Sequence, residues 1–179
     1  MGVRSQTLSG KPATFDAYYL ADFRSLTWFA IRIGASSADE AEDAAQEAMR
    51  TVLLHWKEIE TPYAYARTAV RCEVYRAKAR AARRRDAEMR AAKQDLRQPQ
   101  YPFEQDVTRV LTMLNALPLT QREVFALAMD GFEPSEIAGI TGQNTATVRS
   151  NLRHARRKLM RLMQRSTTEA TGREANDGP

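Results

Sequence analysis

Apolar residues recur along this chain at spacings of three and four, and no stretch alternates convincingly between apolar and polar. A helix turns about once per 3.6 residues, so such spacing gathers apolar side chains on one side and predicts an all-α fold. Phe15, Tyr19, Phe23, Leu26, Ala30 and Ile33 form a first stripe, ended by Gly34. Ser37 with Glu40 three residues on reads as a capping box, in which side chains satisfy the free amides of a helix's first turn. The helix it opens turns Ala41, Ala45, Ala48, Val52 and Trp56 inward. Thr61-Pro62 starts a third helix, because proline at the first helical position lacks only an amide that would be unpaired anyway. Ala66, Val70, Val74, Ala77 and Ala81 line its buried side.

These three helices can close one small core over residues 12–85. After them, "ARRRDAEMRAAKQDLRQPQYP" crowds charge and glutamine together, and Pro99 and Pro102 end any helix, so residues 86–104 read as a flexible linker. A second helical unit is expected over 105–165. Val107, Val110, Leu111 and Leu114 precede Pro118; Thr120 and Glu123 form another capping box, opening a helix with Val124, Leu127 and Ala128 that stops near Gly131. The polar segment 166–179 is expected to be a disordered tail. A chain of 179 residues accommodates two such small domains.

Net charge is +5, and its distribution is more informative than its sum. Residues 1–60 carry −3, 61–100 carry +7, 101–141 carry −4, 142–166 carry +7 and 167–179 carry −2. Two basic blocks separated along the chain fit two contacts with one long polyanion, although two solvated helix faces fit the charge equally well. No apolar run approaches the roughly 18 residues that span a bilayer, and the N-terminus lacks the apolar stretch of a signal peptide, so no membrane insertion and a cytoplasmic location are expected. Cys72 is the single cysteine, and with only His55 and His154 beside it no metal site is expected. A nucleic-acid enzyme is disfavoured: there is no carboxylate cluster with metal spacing, no glycine-rich phosphate loop and no nucleophile paired with histidine. Neither catalytic residues nor a cofactor are expected.

The segment "SEIAGITGQNTATVRSNLRHARRKL" has helix-turn-helix grammar. Pro134 begins a short helix with Ile137 and Ile140 inward, Gly142 permits a sharp reversal, and Thr145 can cap a second helix buried through Val148, Leu152, Ala155, Leu159 and Leu162. Its other face offers Asn144, Thr145, Thr147, Arg149, Ser150, Arg153, Arg156 and Arg157. Arginine pairs bidentately with guanine in the major groove, and hydroxyls reach bases or phosphates, so this face is a candidate DNA reader. A helical hairpin in an ordinary bundle is the plain alternative.

In the first unit, Asp39, Asp43, Gln46, Glu47 and Arg50 lie opposite the alanine stripe. An acidic ridge repels phosphate and suits a protein partner, though a solvated face explains it as well. The third helix instead carries Arg67, Arg71, Tyr75, Arg76, Lys78 and Arg80, followed by Arg83, Arg84 and Arg85. Aromatics among cations suit single-stranded nucleic acid, because bases stack on rings while cations follow the backbone. Tyr63, Tyr65 and Tyr75 fit boundary packing equally well.

Taken together, "DEAEDAAQEAM", "TPYAYARTAVRCEVYRAKARAARRR" and "LPLTQREVFALAMDGFEPSEIAGITGQNTATVRSNLRHARRKL" resemble, in that order, the extracytoplasmic-function (group 4) sigma factors of the sigma-70 family. The resemblance implies a sigma-2 helical bundle and a sigma-4 helix-turn-helix joined by a linker. It further implies that Asp39, Asp43, Gln46, Glu47 and Arg50 meet the core RNA polymerase at its β′ clamp helices, with the β flap as a second contact. Arg67, Arg71, Tyr75, Arg76, Lys78 and Arg80 would bind the melted −10 element, and Asn144, Thr145, Thr147, Arg149, Ser150, Arg153, Arg156 and Arg157 the duplex −35 element. An anti-sigma factor joins the candidate partners. Ala44 and Ala45 stand where the family usually carries bulky aliphatics, and Cys72 and Arg76 where it often has asparagine and aspartate. The helix-turn-helix alone also fits LuxR-type regulators acting without polymerase.

Overall fold

A computed structural model describes residues 10–89 and 105–174, with side chains given for 10–84 and 107–165. Among the described residues all regular secondary structure is helical: α1 (Phe15–Ile33), α2 (Ala38–Leu54), α3 (Pro62–Met89), α4 (Gln105–Asn115), α5 (Leu119–Met129), α6 (Pro134–Thr141) and α7 (Thr145–Glu174). No helix among them is long and apolar enough to cross a membrane.

Local chemistry sets most of the helix ends. Thr14 accepts from the Ala17 amide at 3.3 Å to start α1, and Ser37 from the Glu40 amide at 3.1 Å to start α2. The Glu40 carboxylate returns to the Ser36 amide at 2.9 Å, one residue earlier than a reciprocal box requires. Gly34 ends α1 in the left-handed region at φ 103°, and a Cβ there would meet the Lys78 Nζ at 2.6 Å. The glycine leaves room for that ammonium, which donates to the Ile33 carbonyl at 2.9 Å, one of the carbonyls orphaned at the helix C-terminus.

Two expected caps differ. α5 begins at Leu119 behind Pro118 without a side-chain cap, and Glu123, expected in a capping box with Thr120, is buried instead. α7 is capped by Asn144, whose Oδ1 accepts from the Thr147 amide at 2.7 Å, rather than by Thr145, which lies inside the first turn. α6 has an N-terminal contact the sequence pattern passed over, with the Glu136 carboxylate accepting from the Glu133 amide at 2.7 Å.

Helices α1, α2 and α3 pack on one another, α5, α6 and α7 do likewise, and α4 rests on α7. The alanine stripe Ala41, Ala45 and Ala48 is fully buried and lets α2 approach its neighbours closely. The face of α1 is set differently from the expected stripe: Tyr18 and Asp22 are buried while Tyr19 is exposed. Tyr18 is held by its ring neighbours Trp56 at 5.6 Å and Tyr63 at 5.1 Å, and its hydroxyl donates to Asp22 at 3.0 Å. That residue carries its polar end to a buried carboxylate, which Tyr19 at the next position cannot reach.

Two helix ends and one set of contacts modify the expected organisation. α3 continues through residues 86–89, placed in the linker by sequence, and residues 90–104 lie outside the described residues. α7 runs to Glu174, so most of the expected disordered tail is helical; residues 175–179 lie outside the described residues. The two units, read from the sequence as joined by a flexible linker, are also in contact, α1 packing on α5 and α3 on α6.

Candidate nucleic-acid interface

Two basic helices, α3 and α7, were the candidates for polyanion contact, and their surroundings differ. On α7, Val148, Leu152 and Ala155 are buried against the helices before it, with Leu159 and Leu162 half-buried. The 3.6-residue period then turns Thr147, Arg149, Arg153, Arg156 and Arg157 outward, all exposed, with Ser150 half-exposed. Gly142 makes the preceding reversal at φ 71°, and Asn151 donates to Gln143 at 3.0 Å, tying the helix to the turn. Among the described residues no carboxylate pairs with Arg149, Arg153, Arg156 or Arg157. Asn144 is exposed with its side-chain oxygen in the cap, and Thr145 is half-buried.

The cations of α3 point two ways. Arg76, Arg80, Arg83 and Arg84 are exposed, and Arg76 pairs with Glu73 on its own helix at 2.6 Å; the side chain of Arg85 lies outside the described residues. Arg67 is wholly buried. It pairs with Asp22, donates to Asp130 at 2.9 Å and to Ser25 at 3.0 Å, and lies between the rings of Phe29 and Phe132. Burial works against its charge, but Asp22 and Asp130 outweigh that and hold its pKa above the ordinary arginine value. The expectation of Arg67 on a DNA-facing surface is corrected: a buried carboxylate on each side captures it inside the fold, and helical spacing alone cannot reveal such partners.

Arg71 is mostly covered, paired with Glu123 and donating to the Ile140 carbonyl at 2.7 Å. Burial pushes the Tyr75 hydroxyl well above the usual tyrosine range, with the neighbouring Glu123 adding to it. Burial, with the charge of Arg122, pushes the half-buried Lys78 ammonium down. Of the tyrosines weighed as stacking platforms, Tyr63 is engaged with Tyr18 in the core, Tyr75 is partly covered, and Tyr65 is exposed. The face assigned to a melted strand is therefore split. Its C-terminal cations are open, and its middle is covered by α5 and α6.

On α2, Asp39, Asp43, Gln46 and Arg50 are exposed and Glu47 is half-buried, forming one continuous ridge. Arg50 donates to both Glu47 oxygens, at 2.9 and 2.5 Å, which holds the Glu47 carboxyl below the usual carboxylate range. The pair neutralises that turn of the ridge, while Asp39 and Asp43 are exposed without an ion pair among the described residues.

Residues 108–159, spanning α5, α6, most of α4 and the first half of α7, match the family model "Sigma-70, region 4". Across both units the chain is similar in structure to the sigma factor RpoE from Bartonella quintana, solved in complex with the anti-sigma factor NepR. Sequence identity is 26%, coverage is 84% of this chain and 96% of that one, and the TM-score is 0.67. CnrH, solved in complex with the cytosolic domain of CnrY, shares the fold at 20% identity, with a TM-score of 0.62 over 89% of this chain and 94% of that one. No curated protein sequence matches the chain. A region 4 signature on the helix-turn-helix and the likeness in structure to sigma factors over both units support an extracytoplasmic-function sigma factor of the sigma-70 family.

Proposed function

We propose that the chain works in the cytoplasm as the promoter-recognition subunit of RNA polymerase, and that its helices divide the work. α2 docks on the polymerase through Asp39, Asp43, Gln46 and Glu47. α7 lies in the −35 major groove, with Thr147, Arg149, Ser150 and Arg153 toward base edges and Arg156, Arg157 and Lys158 toward phosphates. Arg76 and Arg80 meet the melted −10 strand from the exposed side of α3, while Arg71, Tyr75 and Lys78 join them once the second unit moves aside. Arg67 serves as an internal scaffold for that helix. The family is non-enzymatic, and the nucleotide chemistry belongs to polymerase. The neighbours solved with NepR and CnrY support an anti-sigma partner for this chain as well.

The observation that carries this reading is the outward face of α7: four exposed arginines without a carboxylate partner among the described residues, on the second helix of a helix-turn-helix. An acidic ridge on the same chain is then expected to face a protein, because phosphate would be repelled by it. Charge reversal at Asp43, as Asp43→Lys, separates this from a regulator that binds duplex DNA alone. Promoter-directed transcription with core polymerase should fall sharply while binding to −35 duplex is retained. Unchanged transcription would favour the stand-alone regulator.

A further inference from the structure

His154 lies on the outward side of α7, and neither the fold nor the groove contacts above make use of it. It is exposed, while Ala155 beside it is buried. Residues four and seven apart on a helix share one stripe, so His154 continues the line of Thr147 and Ser150 away from the turn. Arg157 and Lys158 follow it by three and four. The imidazole therefore stands where side chains directed at base edges give way to those directed at phosphates. One turn back, Asn151 is tied to Gln143 at 3.0 Å.

Histidine is the side chain that changes charge between about pH 5 and pH 8, and an anion nearby holds it in the charged form. On α7 its charged neighbours are the cations Arg153, Arg157 and Lys158. The elements packed against α7 are α4, α5 and α6. Of their carboxylates, Glu123 and Asp130 are taken at the seam between the units, the first by Arg71 and the second by Arg32 and Arg67. Glu133 is exposed at the start of α6, and Glu136 accepts from its amide at 2.7 Å. Of the cations there, Arg109 is exposed on α4 and Arg122 donates to Asn115 at 2.8 Å. Among the described residues no carboxylate forms an ion pair with His154. A DNA phosphate brought to this face supplies the missing anion.

We propose that His154 is a further −35 contact that holds a phosphate oxygen when protonated, so that proton uptake strengthens the grip of α7 on duplex DNA. The inference rests on the placing of α7 in the major groove. As a cation the ring donates from both nitrogens; neutral, it keeps one donor and carries no charge. Arginine and lysine stay charged throughout this range, so the histidine is the member of the face that adds a phosphate-neutralising charge on acidification. By linkage, the duplex in turn favours the protonated ring.

The test titrates the full-length protein into a fluorescent mixed-sequence DNA duplex by anisotropy, near pH 8 and near pH 6, as wild type, His154→Gln and His154→Arg. One added phosphate contact strengthens binding roughly eightfold at about 0.1 M salt and steepens the log–log salt dependence by about 0.9. Wild type should gain most of that factor and of that slope on acidification. His154→Gln, which keeps a polar donor but cannot charge, should gain neither. His154→Arg should bind at both pH values with the slope of acidified wild type. A pH response shared by all three forms belongs to other groups, such as His55 or Glu123, and is subtracted. An equal response in wild type and His154→Gln overturns the contact and leaves α7 as the groove-reading helix. No duplex binding by any form at either pH would sink the placing of α7 in the groove, and this contact with it.

Discussion

Helices α3 and α7 belong to stretches of equal net charge, +7 over 61–100 and +7 over 142–166, yet they present that charge in opposite ways. α7 buries only apolar and small side chains and turns its arginines to solvent, where no neighbouring helix offers a carboxylate among the described residues. α3 packs on α1, α2 and α6, and its arginines also reach carboxylates of α5, so they are sorted by what each neighbour offers. Arg67 finds Asp22 and Asp130, Arg71 finds Glu123, and only the later arginines remain open. Charge counted along a sequence measures attraction for a polyanion; charge left unpaired after folding measures availability.

The comparison breaks most readily at Arg67. Replacing it with alanine removes the shared partner of two buried carboxylates, and the expected loss of stability is about 3–5 kcal/mol, read by denaturant unfolding. Arg153→Ala should leave the unfolding transition unchanged and instead weaken −35 duplex binding by roughly 1–3 kcal/mol, unequally across promoter variants, as anisotropy titrations would detect. A uniform loss would make Arg153 a phosphate contact. Equal stability costs at the two positions would erase the distinction between the helices.

Smaller effects sharpen the same contrast. Asn144→Ala removes the cap of α7 and should lower thermal stability by about 1 kcal/mol, with any loss of DNA binding following from fraying of the first turn. Asn144→Asp, which retains the capping oxygen, should restore the stability. At the seam, burial raises the Glu123 pKa above its ordinary value of 4.5 despite Arg71 nearby. The folded protein therefore binds this proton more tightly than the unfolded chain, and stability rises as pH falls from neutrality through the raised pKa toward 4.5. Wild type should gain stability relative to Glu123→Gln over that window, a trend that parallel unfolding curves would expose; a gap moving the other way would mean the pairing with Arg71 dominates.

Much of this was legible from residue type and spacing, for reasons that also mark where it stopped. The alanine stripe of α2, Pro62 at the start of α3 and Gly34 and Gly142 at reversals follow from local constraints, and the structure places each as local rules require. Asp22 was illegible because its partner Arg67 lies 45 residues away, and neither residue type signals burial without the other. Glu123 was misread for a related reason: its position after Thr120 fits a cap, but a helix from the other unit supplies Arg71, and the ion pair takes the carboxylate. Asn144 begins the reading helix, and its side-chain oxygen accepts from the Thr147 amide there, a use that residue type and position signal as readily as DNA contact. The DNA-facing residues of α7 were easier to place, since exposure there follows directly from the apolar period on the opposite side.

The most direct test of the central claim is run-off transcription with purified core polymerase and genomic promoter DNA, with and without this protein. The account predicts discrete promoter-specific transcripts only when the protein is present, and their loss when the arginine face of α7 is replaced by alanine. Transcription from the same sites without the protein, or none with it, would contradict the account.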